Sequence, residues 1–160
     1  MAENRHGLIV NVTVTEANGT AERSAALDML DEVQTKQKRK VKTLDADKGY
    51  DDGGLYQDVE KREIEPHVPL VKEPRDPKTV PDKRPVPGIE ARQRMTTRMG
   101  GEGDRLSQKC RKKIEEGFGW LKSIGGLDRS RVVGRWKLKP LLEIGAATYN
   151  LLRLVKRQPA

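Results

Sequence analysis

The sequence predicts an α/β fold, a mixed sheet flanked by helices, on three observations. Leu8, Val10, Val12 and Val14 alternate with Ile9, Asn11, Thr13 and Thr15, the two-residue period of a strand with one strongly apolar face. Strand-like and helix-like segments then follow in the order β-α-β-α-β to about residue 71. Beyond residue 103 the helical period returns in two long segments. One domain over residues 1–157, with a tail at 158–160, accounts for all three.

In chain order, Asn18-Gly19 supplies a turn and Thr20 a cap for a helix whose stripe is Ala26, Leu30 and Val33, ending in the basic run Lys36 to Lys40. Val41 to Asp47 reads as a second strand, running into Asp45, Asp47, Asp51 and Asp52 among three glycines. Asp52 can cap a short helix that turns Leu55 and Val59 inward, and Ile64 to Val71 reads as a strand whose prolines suit a sheet edge. Five prolines between Lys72 and Gly103, without a sustained apolar period, predict a long exposed loop. A helix over about Asp104 to Ile124 places Cys110, Ile114, Gly117, Leu121 and Ile124 on one face. The last helix, from Pro140 to about Val155, carries Leu141, Ile144, Thr148, Leu151 and Val155 on one side and is expected to pack on the sheet or the preceding helix.

Composition narrows the function. The 160 residues are 34% apolar and 4% aromatic, enough for one modest core, and 32 Lys and Arg against 24 Asp and Glu give a net charge of +8. From Arg105 onward there are 14 basic residues against 4 acidic ones, which fits either a polyanionic partner or a solvated helix surface. A single cysteine excludes an internal disulfide and a cysteine-cluster zinc site. With no export signal or apolar run of membrane length, the chain reads as cytosolic.

Two constellations could carry chemistry. The aspartates from Asp45 to Asp52 do not make a calcium loop of the helix-loop-helix kind, since Tyr50 stands where glycine is required and Tyr56 where a bidentate glutamate is required. A carboxylate at a strand end suits a hard cation, and a solvated Asp-Gly turn suits the same residues. In the later helix, Arg111, Glu115, Phe118 and Lys122 are spaced i, i+4, i+7 and i+11 and form one stripe, with Glu115 between two cations. Surface ion pairing alone produces such spacing too. Gly117 and Gly119 cost the helix about 1 kcal/mol each relative to Ala, so something approaches the backbone there, either nucleic acid or a packing partner. His6 and His67 are isolated, no Ser-His-Asp, Cys-His or phosphate-loop pattern is present, and Cys110 sits among core positions.

Taken together the two motifs resemble the DDE transposases of bacterial insertion sequences. Ala46-Asp47-Lys48-Gly49-Tyr50-Asp51 is similar to the segment carrying that family's second catalytic Asp, at Asp47. The family's C-terminal signature is Tyr, two residues, Arg, three residues, Glu, six residues, Lys; Arg111, Glu115 and Lys122 match it, with Gln108 in the Tyr position. Glu3-Asn4-Arg5-His6-Gly7-Leu8, Gly125-Gly126-Leu127 and Ala146-Ala147-Thr148-Tyr149-Asn150-Leu151 extend the likeness along most of the chain, broken at the proline-rich loop.

The resemblance implies a partial RNase H-like fold and metal-dependent phosphodiester cleavage followed by 3′-hydroxyl strand transfer. Asp47 and Glu115 would be catalytic residues and ligands of Mg²⁺, with Mn²⁺ a substitute. Arg111, Lys122, Lys113 and Lys48 would contact DNA, at transposon ends and target. It also implies a homo-oligomer or association with a full-length transposase. The family's first catalytic Asp lies on a strand earlier than any here, and Asp28 and Asp31 fall on the first predicted helix, so the chain is expected to be inactive alone. A noncatalytic basic nucleic-acid-binding or regulatory protein is the alternative.

Overall fold

A computed structural model of the chain describes residues 1–16, 18, 20–70, 86–98 and 100–157, apart from the side chains of 86–89, 104 and 108. It contains α1 (Ala21–Thr35), β1 (Thr43–Asp45), a 3-10 turn (Lys48–Tyr50), α2 (Gly53–Glu60), β2 (Glu65–His67), α3 (Val86–Arg98), α4 (Glu102–Ser123), a second 3-10 turn (Leu127–Arg129) and α5 (Arg135–Val155). The chain divides into two compact units, one of Met1–Arg39 with Lys109–Ala160 and one of Lys40–Gln108.

In the unit Lys40–Gln108, β1 and β2 pair in parallel, with Thr43 opposite Glu65, Leu44 opposite Pro66 and Asp45 opposite His67. Parallel pairing requires a crossover, and α2 provides it. The Asp52 side chain accepts the Leu55 N–H at 3.0 Å, the cap expected there, and Leu55 and Val59 are buried as expected. Tyr56, Val68, Ala91 and Met95 form the core, with Ala46, Tyr50 and Leu70 packed against them. Ala91 and Met95 belong to α3, where a loop was expected. Pro87 is tolerated in its first turn, and Ala91 and Met95, one turn apart, place a buried edge against α2. The rest of the expected loop up to residue 85, and the 158–160 tail, lie outside the described residues.

In the other unit, Leu8 to Val14 does not form the expected strand. Its ladder is one antiparallel bridge between Ala2 and Ile9, so the described sheet is two parallel strands and not a mixed one. Period-two sequence separates two sides of a chain but supplies no neighbour. The backbone of Ile9 bonds instead to a side chain: its N–H donates to Asn150 Oδ1 and its carbonyl accepts from Asn150 Nδ2, both at 2.8 Å. On α1, Ala26, Leu30 and Val33 are buried as expected and Thr20 holds the cap position, but its side chain makes no capping bond, and Asn18 Oδ1 accepts the Ala21 N–H at 2.6 Å instead. Gly19, the other expected turn residue, lies outside the described residues.

α5 begins at Arg135, with Pro140 inside it rather than at its first turn. It packs on α4. A Cβ on Gly117 would lie 3.3 Å from the Tyr149 ring, and Trp120 and Tyr149 meet with ring centroids 5.7 Å apart. The approach inferred from Gly117 is therefore filled by Tyr149. The expected apolar side of α5 is exposed, and Ala146 and Tyr149 are its buried residues.

Candidate functional site

The aspartates after β1 are sorted by their surroundings. Asp47 lies two residues past the strand in extended backbone (φ −73°, ψ 162°), and its Oδ1 accepts the Gly49 N–H at 3.0 Å, capping the turn Lys48–Tyr50. Both Asp47 and Lys48 are exposed. Asp45 is half-buried at the end of β1, and Asp52 is committed to capping α2.

Asp51 is the anchor of this segment. Its side chain is 3% exposed, and Arg92 grips it with two bonds, Nε to Oδ1 at 3.0 Å and Nη2 to Oδ2 at 2.7 Å. The Tyr56 hydroxyl donates to the same Oδ1 at 2.9 Å. Burial first, and then the Asp51 charge, push the Tyr56 phenol far above its usual range, so Tyr56 stays a protonated donor. This clamp ties the segment after β1 to α3 and α2. No local pattern signals Arg92, because its partner lies forty-one positions earlier.

In the unit containing Lys109–Ala160, the stripe expected on α4 is present. Arg111 Nη2 stands 3.4 Å from Glu115 Oε1, and the Lys122 ammonium lies 5.5 Å from the centre of the Phe118 ring. Glu115 and Lys122 are exposed, Arg111 is half-buried, and Phe118 is 59% exposed. Among the described residues, and apart from its own helix turn, nothing lies within 4 Å of where a Cβ on Gly119, one turn beyond Glu115, would stand, so the helix backbone is open there.

Lys113 has a different environment. It donates to the carbonyls of Asn4 at 3.3 Å and Arg5 at 3.1 Å, tying the N-terminal loop to α4. Glu3 closes that loop by accepting the N–H groups of Arg5, His6 and Leu8 at 2.8, 2.7 and 3.1 Å. Gly7, at φ +69°, adopts a left-handed conformation that a side chain would strain, and an added Cβ would stand 3.0 Å from Lys113 Cβ. Arg153 donates to the His6 carbonyl and the Tyr149 hydroxyl and pairs with Glu116. The Glu3-Asn4-Arg5-His6-Gly7 motif thus builds a docked loop. The Gln108 side chain lies outside the described residues.

A match to the family described as Transposase DDE domain covers residues 1–151, spanning both carboxylate segments and the docked N-terminal loop. The chain belongs to that family. No curated protein and no solved structure matches it.

DDE transposases work with divalent metal ions. In this DDE domain Asp47 and Glu115 are exposed carboxylates of the hard-oxygen type such ions take. Among the described residues, however, no three His, Cys, Asp or Glu side chains group closely enough to hold an ion. The described side chains of this transposase domain therefore do not make a complete metal centre. No described helix is long and apolar enough to cross a membrane.

Proposed function

We propose that the chain acts in DNA transposition as the Asp47- and Glu115-bearing part of a DDE catalytic domain, binding DNA along α4 and performing no cleavage by itself. The observation that carries this reading is the α4 stripe, where an exposed Glu115 sits between Arg111 and Lys122 beside an open backbone at Gly119. Arg111 can fork across two phosphate oxygens, Lys122 acts as a point charge, and Phe118 offers an exposed ring. Lys48, exposed beside Asp47, would contact backbone as well. Lys113 would support this surface while holding the N-terminal loop.

Asp47 and Glu115 would be two carboxylate ligands for Mg²⁺ or Mn²⁺, and the family's cleavage and 3′-hydroxyl strand transfer require more carboxylates converging on one point. Asp28 and Asp31 do not supply them from a strand, since both lie within α1. The expected DNA affinity is salt-sensitive and largely independent of sequence.

Supercoiled plasmid DNA tests both halves. The chain should bind it at low salt and should not nick it in Mg²⁺ or Mn²⁺, and binding wholly unaffected by chelator would favour a noncatalytic binding module instead. Nicking that disappears in Asp47→Ala would overturn the inactivity, and an absence of DNA binding at low salt would overturn the reading as a whole.

A further inference from the structure

The two tryptophans of the chain have opposite surroundings. Trp120 packs on Tyr149, with ring centroids 5.7 Å apart, whereas Trp136, in the first turn of α5, is 75% exposed. The exposed indole is braced on one side. A Cβ on Gly134 would stand 3.2 Å from Trp136 Nε1 and 3.3 Å from Cδ1, so the pyrrole ring folds back on the backbone there. Gly134 also has φ +99°, a left-handed conformation that side chains rarely adopt, so glycine is required on both counts. The Lys137 ammonium lies 4.9 Å from the centre of the indole.

The chain around the ring is basic. Between Asp128 and Lys139, Arg129, Arg131, Arg135, Lys137 and Lys139 stand against a single acidic residue, Asp128. Arg135 pairs with Glu16 at 2.8 Å and Lys139 stands 3.9 Å from Glu143, while among the described residues no carboxylate pairs with Arg129, Arg131 or Lys137. An apolar protein surface would meet an indole set among uncompensated cations. Duplex DNA would use the cations but not the ring, because its base faces are already stacked on one another. An unpaired base on a phosphate backbone uses both.

We propose that Trp136 is a stacking platform for an unpaired base of single-stranded DNA, with Arg129, Arg131 and Lys137 holding the phosphates that flank it. The choice of DNA rests on the function proposed above; the ring and its cations stand apart from it. Because the indole is already braced against Gly134, little side-chain freedom is lost when a base stacks on it. Stacking tolerates any base, whereas the flanking phosphate contacts are salt-sensitive. The platform therefore adds a preference for unpaired strands to the duplex binding expected along α4.

Titration of the whole chain with a thymidine strand of about twelve nucleotides, an abasic strand of the same length and a blunt duplex tests it, read by anisotropy of the labelled DNA and by quenching of tryptophan emission. The thymidine strand should bind about fivefold or more tightly than the abasic one and should quench the emission, and the quenching should vanish in Trp136→Phe. Trp136→Ala and Trp136→Leu should each weaken thymidine binding about fivefold or more without changing its salt slope, and Trp136→Phe should weaken it less. Arg131→Ala should instead lower that slope by about 0.7. Near-ultraviolet dichroism from the Trp120 and Tyr149 contact should persist in every variant. Equal affinity for the thymidine and abasic strands, quenching that survives in Trp136→Phe, or equal loss of duplex and single-strand binding in Trp136→Ala would each overturn the platform. Those results leave the α4 reading in place, which fails only if the duplex goes unbound at low salt.

Discussion

Arg92→Ala should loosen the segment that carries Asp47 without touching Asp47 itself. The change leaves the Asp51 carboxylate, 3% exposed, without the two guanidinium bonds at 3.0 and 2.7 Å that compensate its burial. Breaking a buried ion pair by removing one partner costs about 3–5 kcal/mol. Two features lower that figure: the Arg92 side chain is itself 21% exposed, so water can enter its place, and the Tyr56 hydroxyl still donates to Asp51. The expected loss is about 2–3 kcal/mol, which corresponds to roughly 30- to 150-fold faster native-state amide exchange at Tyr56 and Val59. Arg92→Lys keeps the charge but not the fork and should fall between the two. Adding Asp51→Asn to Arg92→Ala should recover part of the loss, because the penalty belongs to the unpaired charge. Exchange accelerated less than about fivefold, or no recovery in the double variant, would refute the clamp.

Three further outcomes follow from other parts of the chain. Gly119→Ala should stabilise α4 by about 1 kcal/mol in thermal unfolding, since among the described residues nothing beyond its own helix turn stands within 4 Å of the new methyl group, whereas Gly117→Ala should gain less or lose because its methyl meets the Tyr149 ring at 3.3 Å. Burial tends to raise the Glu3 carboxyl, but the backbone N–H groups of Leu8, His6 and Arg5 outweigh it and hold it below its usual 4.5. Its contribution is therefore present above that value and lost as pH falls through it to the lowered one, so Glu3→Gln should cost stability at neutral pH and converge with the parent chain in acid. Lys122→Ala should weaken DNA binding for all sequences alike and reduce the slope of log affinity against log salt by about 1.

What was legible in the sequence was whatever depends on neighbours within a few turns. The spacing of Arg111, Glu115, Phe118 and Lys122 fixes one helical stripe whatever surrounds it, and the Asp52 cap needs only Leu55, three residues on. Partners far along the chain were not legible. The period of Leu8 to Val14 marks two sides of a segment, but strand formation needs a neighbouring strand, and Ile9 is held by the Asn150 amide instead. Helix α3 hides because Ala91 and Met95 are too few to register as a period amid prolines and arginines. The role of Asp51 is set by Arg92 on that same helix. On α5 the widest apolar side proved exposed, because the small residues Gly117 and Gly145 decide which face α4 and α5 can bring together.

Asp47 and Glu115 are proposed as metal-directed carboxylates of a DNA-handling domain. Mn²⁺ added to the chain on duplex DNA, read by paramagnetic broadening of backbone amide signals, is the measurement that decides it. The expected result is selective loss of the Gly49 signal and of signals around Glu115, abolished by Asp47→Asn and Glu115→Gln respectively. Broadening at Asp128 and Glu143 as strong as at those two positions, or none at either, would contradict it.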